Sequence, residues 1–244
     1  MAKRCERKQQ KRRSVQKAAG TERKGAVWIT RVKAGPHRKE ESIPLAFLVR
    51  EILKLAENRK EVKAALNSGN IKINGVARKE LQFSVGLFDI IGIDLGEKKI
   101  FYRIVYGRKG RLIPIESSDA KNMLKISKVT GKRVVKGGKL QITTDDGIVF
   151  PDFKKEIKVN DSLLIKHPEK EIVEIIEMKK GNTAYKVGGR NSGSLAKLKE
   201  INKGTMKRES LVTLEYGDEE AATTISKIII VGKGKPMIEI GVEE

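Results

Sequence analysis

From Lys98 onward the apolar residues of this 244-residue chain come in short runs bounded by turn signals, and no helical spacing is sustained. Runs of that kind bury a face only by pairing with one another, so this part of the chain must be built from short strands. Phe101 to Tyr106 and Arg111 to Ile115 flank a basic loop, Gly107-Arg108-Lys109-Gly110. Leu124 to Val135 turns at Gly137-Gly138 into Leu140 to Thr144, and Asp146-Gly147 turns again into Ile148 to Phe150. The spacing predicts a small barrel or sandwich. A second set, Ile172 to Ile176, Ala184 to Val187, Leu195 to Ile201, Leu211 to Tyr216 and Ile225 to Val231, predicts a second small barrel, followed by a short tail from Gly232. Aromatic residues are 5% of the chain, so the cores must be small and aliphatic.

Ahead of the strands the period changes. Leu45, Leu48, Val49, Ile52, Leu53 and Ala56 recur at the spacing of one helical face, with Ser42 as the expected N-cap and Pro44 in the first turn. Asn58 is placed to cap a second short helix, with Glu61 three residues on as in a capping box and Gly69 past its end as a left-handed stop. Then comes IKINGVARKE, Ile71 to Glu80. Asn74-Gly75 supplies both positive-φ positions of a tight turn, so Ile71 to Ile73 and the return from Val76 read as a hairpin. If Ile71 and Ile73 face a core, Lys72 points away from it. Phe88 to Ile91 offers a further strand.

Charge decides the class of partner. The chain carries 52 Lys+Arg against 31 Asp+Glu, a net of +21. Residues 1–41 hold 14 of those cations and four acids, and their apolar residues are scattered, so this stretch reads as a basic arm that orders on a polyanion. Nothing is long and apolar enough to span a bilayer, and the first residues lack the apolar core of a signal peptide and the amphipathic face of a membrane-surface helix. Nucleic acid is the expected partner. One Cys, Cys5, and two His, His37 and His167, give neither a disulfide nor a structural zinc set, so the expected compartment is cytosolic and no metal or cofactor is expected.

The candidate RNA-binding residues follow from that placement. In the arm they are Lys3, Arg4, Arg7, Lys8, Lys11, Arg12, Arg13, Lys17, Arg23, Lys24, Arg31 and Lys33; at its junction they are His37, Arg38 and Lys39. His37 can meet phosphate or base, or pack the junction. Trp28, with Val27 and Ile29, reads as an anchor of the arm on the protein ahead of a base-stacking group. The hairpin adds Lys72, Asn74, Arg78 and Lys79, beside Arg50, Lys54, Arg59, Lys60 and Lys63 on the polar sides of the helices. Arg108, Lys109 and Arg111 mark the basic loop, and Lys132, Arg133, Lys136 and Lys139 ring one predicted hairpin. Such clusters suit phosphate contacts on folded RNA, where backbone and shape dominate recognition.

Three resemblances sharpen this reading. INGVARKELQFSVGLFDIIGI after two short helices resembles the RNA-binding module named for bacterial small-subunit ribosomal protein S4 and covers Ser42 to about Asp94. GNTAYKVGGRNSGSLAKLKEI, Gly181 to Ile201, is similar to the KOW motif: Gly189 and Gly193 match, Ala196 stands where a third glycine is expected, and Lys186, Gly189, Arg190, Asn191 and Lys197 are the implied RNA contacts. The order of arm, GPH at Gly35 to His37, ESIPLAFLVR, module, β domain, KOW-like strands and SKIIIVGKGKPMIEI resembles the S4e family of small-subunit ribosomal proteins of archaea and eukaryotes.

The expected fold is α+β and multidomain: arm 1–41, S4-like helix–helix–hairpin module 42–104, central all-β domain 105–170, SH3-like KOW barrel 171–231 and tail 232–244. The implied function is to bind and brace small-subunit ribosomal RNA in the cytoplasm, beside neighbouring ribosomal proteins, with no small-molecule substrate. A non-ribosomal RNA-binding or KOW-type transcription or translation factor is the alternative. An enzyme is disfavoured: there is no GxxxxGK[ST] loop and no GxGxxG opening a helix, Asp145, Asp146 and Asp218 sit at turns, and no stretch is left for a catalytic domain.

Overall fold

The computed structural model describes residues 9–22, 24–96, 98–118, 123–153, 156–205, 208–217 and 219–241. The chain divides into two compact units, Met1–Val105 with Arg111–Ser118, and Tyr106–Gly110 with Asp119–Glu244.

The first unit begins with an antiparallel pair, β1 (Gln9–Lys11) and β2 (Trp28–Thr30). Ala18, Ala19, Ile29 and Val32 are all at most 6% exposed, so residues 9–33 already bury apolar side chains on the protein. The expectation of an arm without structure of its own is corrected for this stretch: four small apolar residues, too scattered to show a period, suffice to dock it.

Next come β3 (Ile43–Pro44) and one helix, α1 (Leu45–Phe47), which widens at once into a turn over Leu48–Ile52 closed by Leu53 N–H to Leu48 C=O at 2.9 Å. The expected Ser42 cap is not formed. Ser42 is extended and buried, Pro44 precedes the first helical residue with ψ 136°, and Lys54 at φ 52° ends the helix before Ala56. Leu45, Leu48 and Val49 are fully buried, whereas Leu55 is left exposed. In the second helix, α2 (Arg59–Asn67), Glu61 accepts hydrogen bonds from the backbone N–H of Glu57 (2.9 Å) and Asn58 (3.3 Å), which lower its carboxyl pKa. Gly69 follows at φ 78°.

The sheet of this unit contains β4 (Ile71–Ile73), β5 (Val76–Ala77), β7 (Ile90–Asp94), β8 (Lys99–Tyr106) and β9 (Leu112–Glu116) in the order β5-β4-β7-β8-β9; β6 (Ser84–Val85) pairs separately with β3. Ile71 opposes Ile93 and Ile73 opposes Ile91, so one face is a continuous aliphatic layer. The return strand is two residues long, which leaves Arg78 and Lys79 in the loop beyond it.

In the second unit, β10 (Leu124–Val134), β11 (Leu140–Thr144), β12 (Val149–Phe150), β13 (Ser162–Lys166) and β14 (Glu171–Ile176) form an antiparallel sheet in the order β12-β11-β10-β13-β14. Val129, Ile142, Ile157, Leu163 and Ile165 make its core. The other sheet holds β15 (Thr183–Lys186), β16 (Leu195–Asn202), β17 (Leu211–Tyr216), β18 (Glu219–Thr224) and β19 (Ile228–Gly232) in the order β18-β17-β16-β15-β19. The strands β13 and β18 add to the set expected from sequence, and β14, expected to open the second barrel, instead pairs with β13 in the first sheet because Ile172 and Ile175 pack on the core around Leu163 and Ile165.

Two buried lysines organise this unit. Lys128 on β10 donates to the carbonyls of Ile225 (2.6 Å) and Ile228 (3.0 Å), tying the first sheet to the turn that opens β19. Burial lowers its pKa to about 8, against the raising effect of Asp145. Lys125 pairs with Asp146 at 2.8 Å, both side chains 3% exposed, and Asp146 also accepts from Ser127 and Thr144 at 2.7 Å each. Burial alone would raise the Asp146 pKa; the charge and hydrogen bond of Lys125 and the two hydroxyls outweigh it and hold the carboxyl below its ordinary range.

Replacing Asp146 with Asn leaves a buried ammonium without that carboxylate and is expected to destabilise the second unit by about 3 kcal/mol or more in urea denaturation. Because the folded pKa lies below the unfolded one, the wild-type contribution is complete above about pH 4 and is lost as the pH falls towards about 2; the variant's stability should lack that acid limb.

Candidate nucleic-acid interface

The hairpin tip of the first unit is built around one carboxylate. Asp89, 1% exposed, accepts from Asn74 Nδ2 (2.8 Å) and from the Gly86 backbone N–H (2.9 Å), and it bonds His37 Nε2 at 2.8 Å. Asn74 Oδ1 in turn accepts the Ile90 N–H at 2.9 Å. Gly86 is required here because a Cβ would strike the His37 ring. The His37 side chain is 11% exposed. Two of the sequence candidates are therefore engaged inside the protein: His37 locks the Gly35-Pro36-His37 segment to the module, and Asn74, at φ 50°, holds the turn to β7. What the turn presents outward is Lys72, exposed between the small residues Ala77 and Gly92 on either side of it. Lys79 is exposed as well, whereas the Arg78 guanidinium lies 4.8 Å over the Phe83 ring and is half-buried.

The arm separates in the same way. Arg12 does not project: its guanidinium donates to the carbonyls of Glu22 (2.7 Å), Lys24 (2.8 Å) and Ala26 (2.8 Å), and its own N–H donates to Val27 (2.9 Å). Gly25, at φ 135°, is where a Cβ would lie 2.7 Å from that guanidinium. Lys33 pairs with Glu80 at 3.2 Å. Lys11, Arg13, Lys17, Lys24, Arg38 and Lys39 are exposed and Arg31 half-buried, none ion-paired with a described residue. Ile29, 3% exposed, is the anchor expected of Trp28; Trp28 itself is 53% exposed and Val27 65%. Arg111 is exposed, its stem lying against Gly20. Of the helix cations, Arg50 bonds Glu51 at 2.6 Å, while Lys54, Arg59, Lys60 and Lys63 are exposed. Lys3, Arg4, Arg7, Lys8 and Arg23 lie outside the described residues, as does the side chain of Arg108.

In the second unit Lys109 is exposed at φ 63° on the short loop after β8. On the β10–β11 hairpin Lys136 is open, Lys132 donates to the Ile157 carbonyl (3.0 Å), Arg133 to Gln141 (3.2 Å), and Lys139 faces Asp152 at 3.6 Å. The KOW-like loop turns at Gly189 (φ 89°) and Asn191 (φ 62°) and exposes Arg190, with Lys197 exposed on β16. Lys186 does not share that surface. It is 5% exposed with its ammonium 5.7 Å over the Tyr216 ring, and burial, then the neighbouring Lys227, lowers its pKa. Gly193 is glycine for an internal reason: a Cβ would collide with the Tyr106 carbonyl, which also accepts the buried Tyr185 hydroxyl at 3.0 Å. Ala196 is buried in β16 opposite Ala184.

Among the described residues no group of three or more His, Cys, Asp or Glu is placed to hold a metal ion, and no helix is long and apolar enough to cross a membrane. What the geometry provides is lysine and arginine heads held on turns and strand ends, which can meet phosphate oxygens without forming a reaction centre.

Three comparisons bear on these surfaces. Residues 89–172 match the family model described as ribosomal family S4e. Small ribosomal subunit protein eS4 of Archaeoglobus fulgidus is 39% identical over 237 residues, 96% of this chain and 98% of that one, and its counterpart from Methanosphaera stadtmanae is 34% identical over 242 residues, 98% of each. The crystal structure of 30S ribosomal protein S4e from Thermoplasma acidophilum matches with a TM-score of 0.68 at 30% identity, over 80% of this chain and 97% of that one.

Replacing Asn74 with Ala removes two hydrogen bonds and a residue tolerant of positive φ, so the first unit should lose about 1–3 kcal/mol in thermal or urea unfolding. Lys72→Glu, on the outer face of the same hairpin, should change stability by less than about 0.5 kcal/mol.

Proposed function

The chain belongs to the S4e family of ribosomal proteins, and from that premise we propose that it braces folded ribosomal RNA in the small subunit through cations held on its arm, hairpins and loops. The family is one of structural ribosomal constituents, so the protein works by binding and has no turnover. The observation that carries the reading is the near full-length match, at 34–39% identity, to small-subunit proteins, joined by open cations without an acidic partner among the described residues: Lys11, Arg13, Lys72, Lys79, Lys136 and Arg190.

The division of labour we assign is a basic arm over 1–41, an S4-like RNA-binding module from residue 42 that takes in β9, a central β unit of β10 to β14, a KOW-type unit of β15 to β19 and a tail after Gly232. In this scheme the internally engaged polar residues His37, Asn74 and Lys186 set the shape of the surfaces, and the exposed cations make the phosphate contacts. Neighbouring small-subunit proteins are its further partners, and its site of action is the cytoplasmic ribosome. The relatives compared give no support to a free KOW-type factor.

Each phosphate neutralised releases counterions, so log K should fall by about 0.7–0.9 per contact against log salt concentration. The double variant Lys72→Glu, Lys79→Glu should therefore weaken binding to small-subunit ribosomal RNA and flatten the salt slope by about 1.4–1.8, measured by filter retention over a salt series. The wild-type chain should co-sediment with small subunits and dissociate at high salt. A chain found free in lysate at physiological salt, or an unchanged slope in the double variant, would contradict the assignment.

A further inference from the structure

The arm hairpin leaves a large aromatic ring half open to solvent. Along β2 the side chains alternate: Ile29 points inward at 3% exposure, while Trp28 is 53% exposed and the preceding Val27 65%. Register places Lys11 directly across from Trp28, so the indole and an exposed ammonium lie on the same face of the two-stranded ribbon. The ring is not on a loose tail. The ribbon is pinned by Ile29 below, by the Arg12 N–H bond to Val27, and by the Arg12 guanidinium closing residues 22–26 through three carbonyls. A rigid indole loses little freedom when it is covered, which makes it a ready stacking surface.

What covers it is decided by the surrounding charge. The described residues from 9 to 33 carry seven Lys or Arg and a single acid, Glu22. A basic protein surface would be repelled from such a patch, and an acidic one would find no apolar reason to seat on the ring. A nucleobase satisfies both demands: its face is apolar and polarisable, and its own phosphates sit within a few ångströms of the ring for the flanking cations to meet. We infer that Trp28 is a stacking platform for an unpaired base of ribosomal RNA, with Lys11 meeting the phosphate of the stacked nucleotide. This rests on the ribosomal reading above and names the class of RNA element taken by the arm: a bulge, loop or strand end, since a base within a duplex has no free face.

Trp28 is the single tryptophan of the chain, so its emission reports this position alone. The test titrates the full-length protein with three probes: transcribed archaeal small-subunit ribosomal RNA, a fully paired RNA duplex, and oligoadenylate. Binding is followed in parallel by filter retention. Ribosomal RNA and oligoadenylate should quench Trp28 emission by more than half and shield it from acrylamide, while the duplex binds with little quenching. Trp28→Ala should weaken ribosomal RNA binding about tenfold at unchanged salt slope, Trp28→Phe should restore much of it, and Lys11→Gln should lower the slope by roughly one contact. Retained binding with unquenched, acrylamide-accessible Trp28 overturns the stacking assignment and leaves the ribosomal one standing; absence of binding to ribosomal RNA overturns the ribosomal one. Trp28 emission that stays unquenched on RNA and turns blue only within assembled small subunits would identify a protein as its cover and likewise overturn the stacking.

Discussion

In the first unit a buried carboxylate ties the hairpin turn to the segment that leaves the arm. Asp89 is removed from solvent, and a buried carboxyl group is tolerated only where hydrogen-bond partners surround it. The donors it collects are Asn74 from the hairpin turn and the Gly86 backbone, together with His37 from the segment that leaves the arm. Three stretches distant in sequence are thereby brought to one point, and the outward aim of Lys72 is a consequence of that convergence. The Lys125–Asp146 pair in the second unit obeys the same rule: the charge is kept because Ser127 and Thr144 complete its shell.

Internal anchoring divides the candidate contact residues into two populations. Arg12, His37, Asn74 and Lys186 hold the chain to itself, whereas Lys11, Lys72, Lys79, Lys136 and Arg190 stand open. The first population determines where the second points. It follows that the electrostatic footprint available to a polyanion is smaller than the composition suggests, and that removing an anchoring residue would act on binding through shape as well as through charge.

Much of this was legible in the sequence where a local rule has a single solution. Asn74-Gly75 needs positive φ twice, and Asn58 with Glu61 leaves one arrangement for a helix start. Other parts were not legible, for physical reasons. SLLIK at Ser162–Lys166 is buried on both faces and shows no alternation, and EEAATT at Glu219–Thr224 is an edge strand with hardly any apolar content. The three-residue strands β1 and β2 are too short for any period to register. At the candidate site the sequence supplied candidate residue types but could not distinguish Arg12 from Arg13 or Lys186 from Lys197, since that difference lies in tertiary partners. The aromatic at position 28 looked like an anchor because it is the larger residue, yet the pleat turned the smaller Ile29 inward.

The exposed ring and valine at the tip of the arm ribbon also bear on how the protein survives before it finds its place. Bare apolar tips on identical molecules invite self-association, which here is opposed by a mutual repulsion between copies that each carry +21. Colloidal protection of this kind lasts while the positive charge is unmatched. Any stray polyanion that neutralises the free protein without covering the indole would remove the repulsion and leave the sticky tip, so a newly made copy is safest when its first anionic encounter is also its final one.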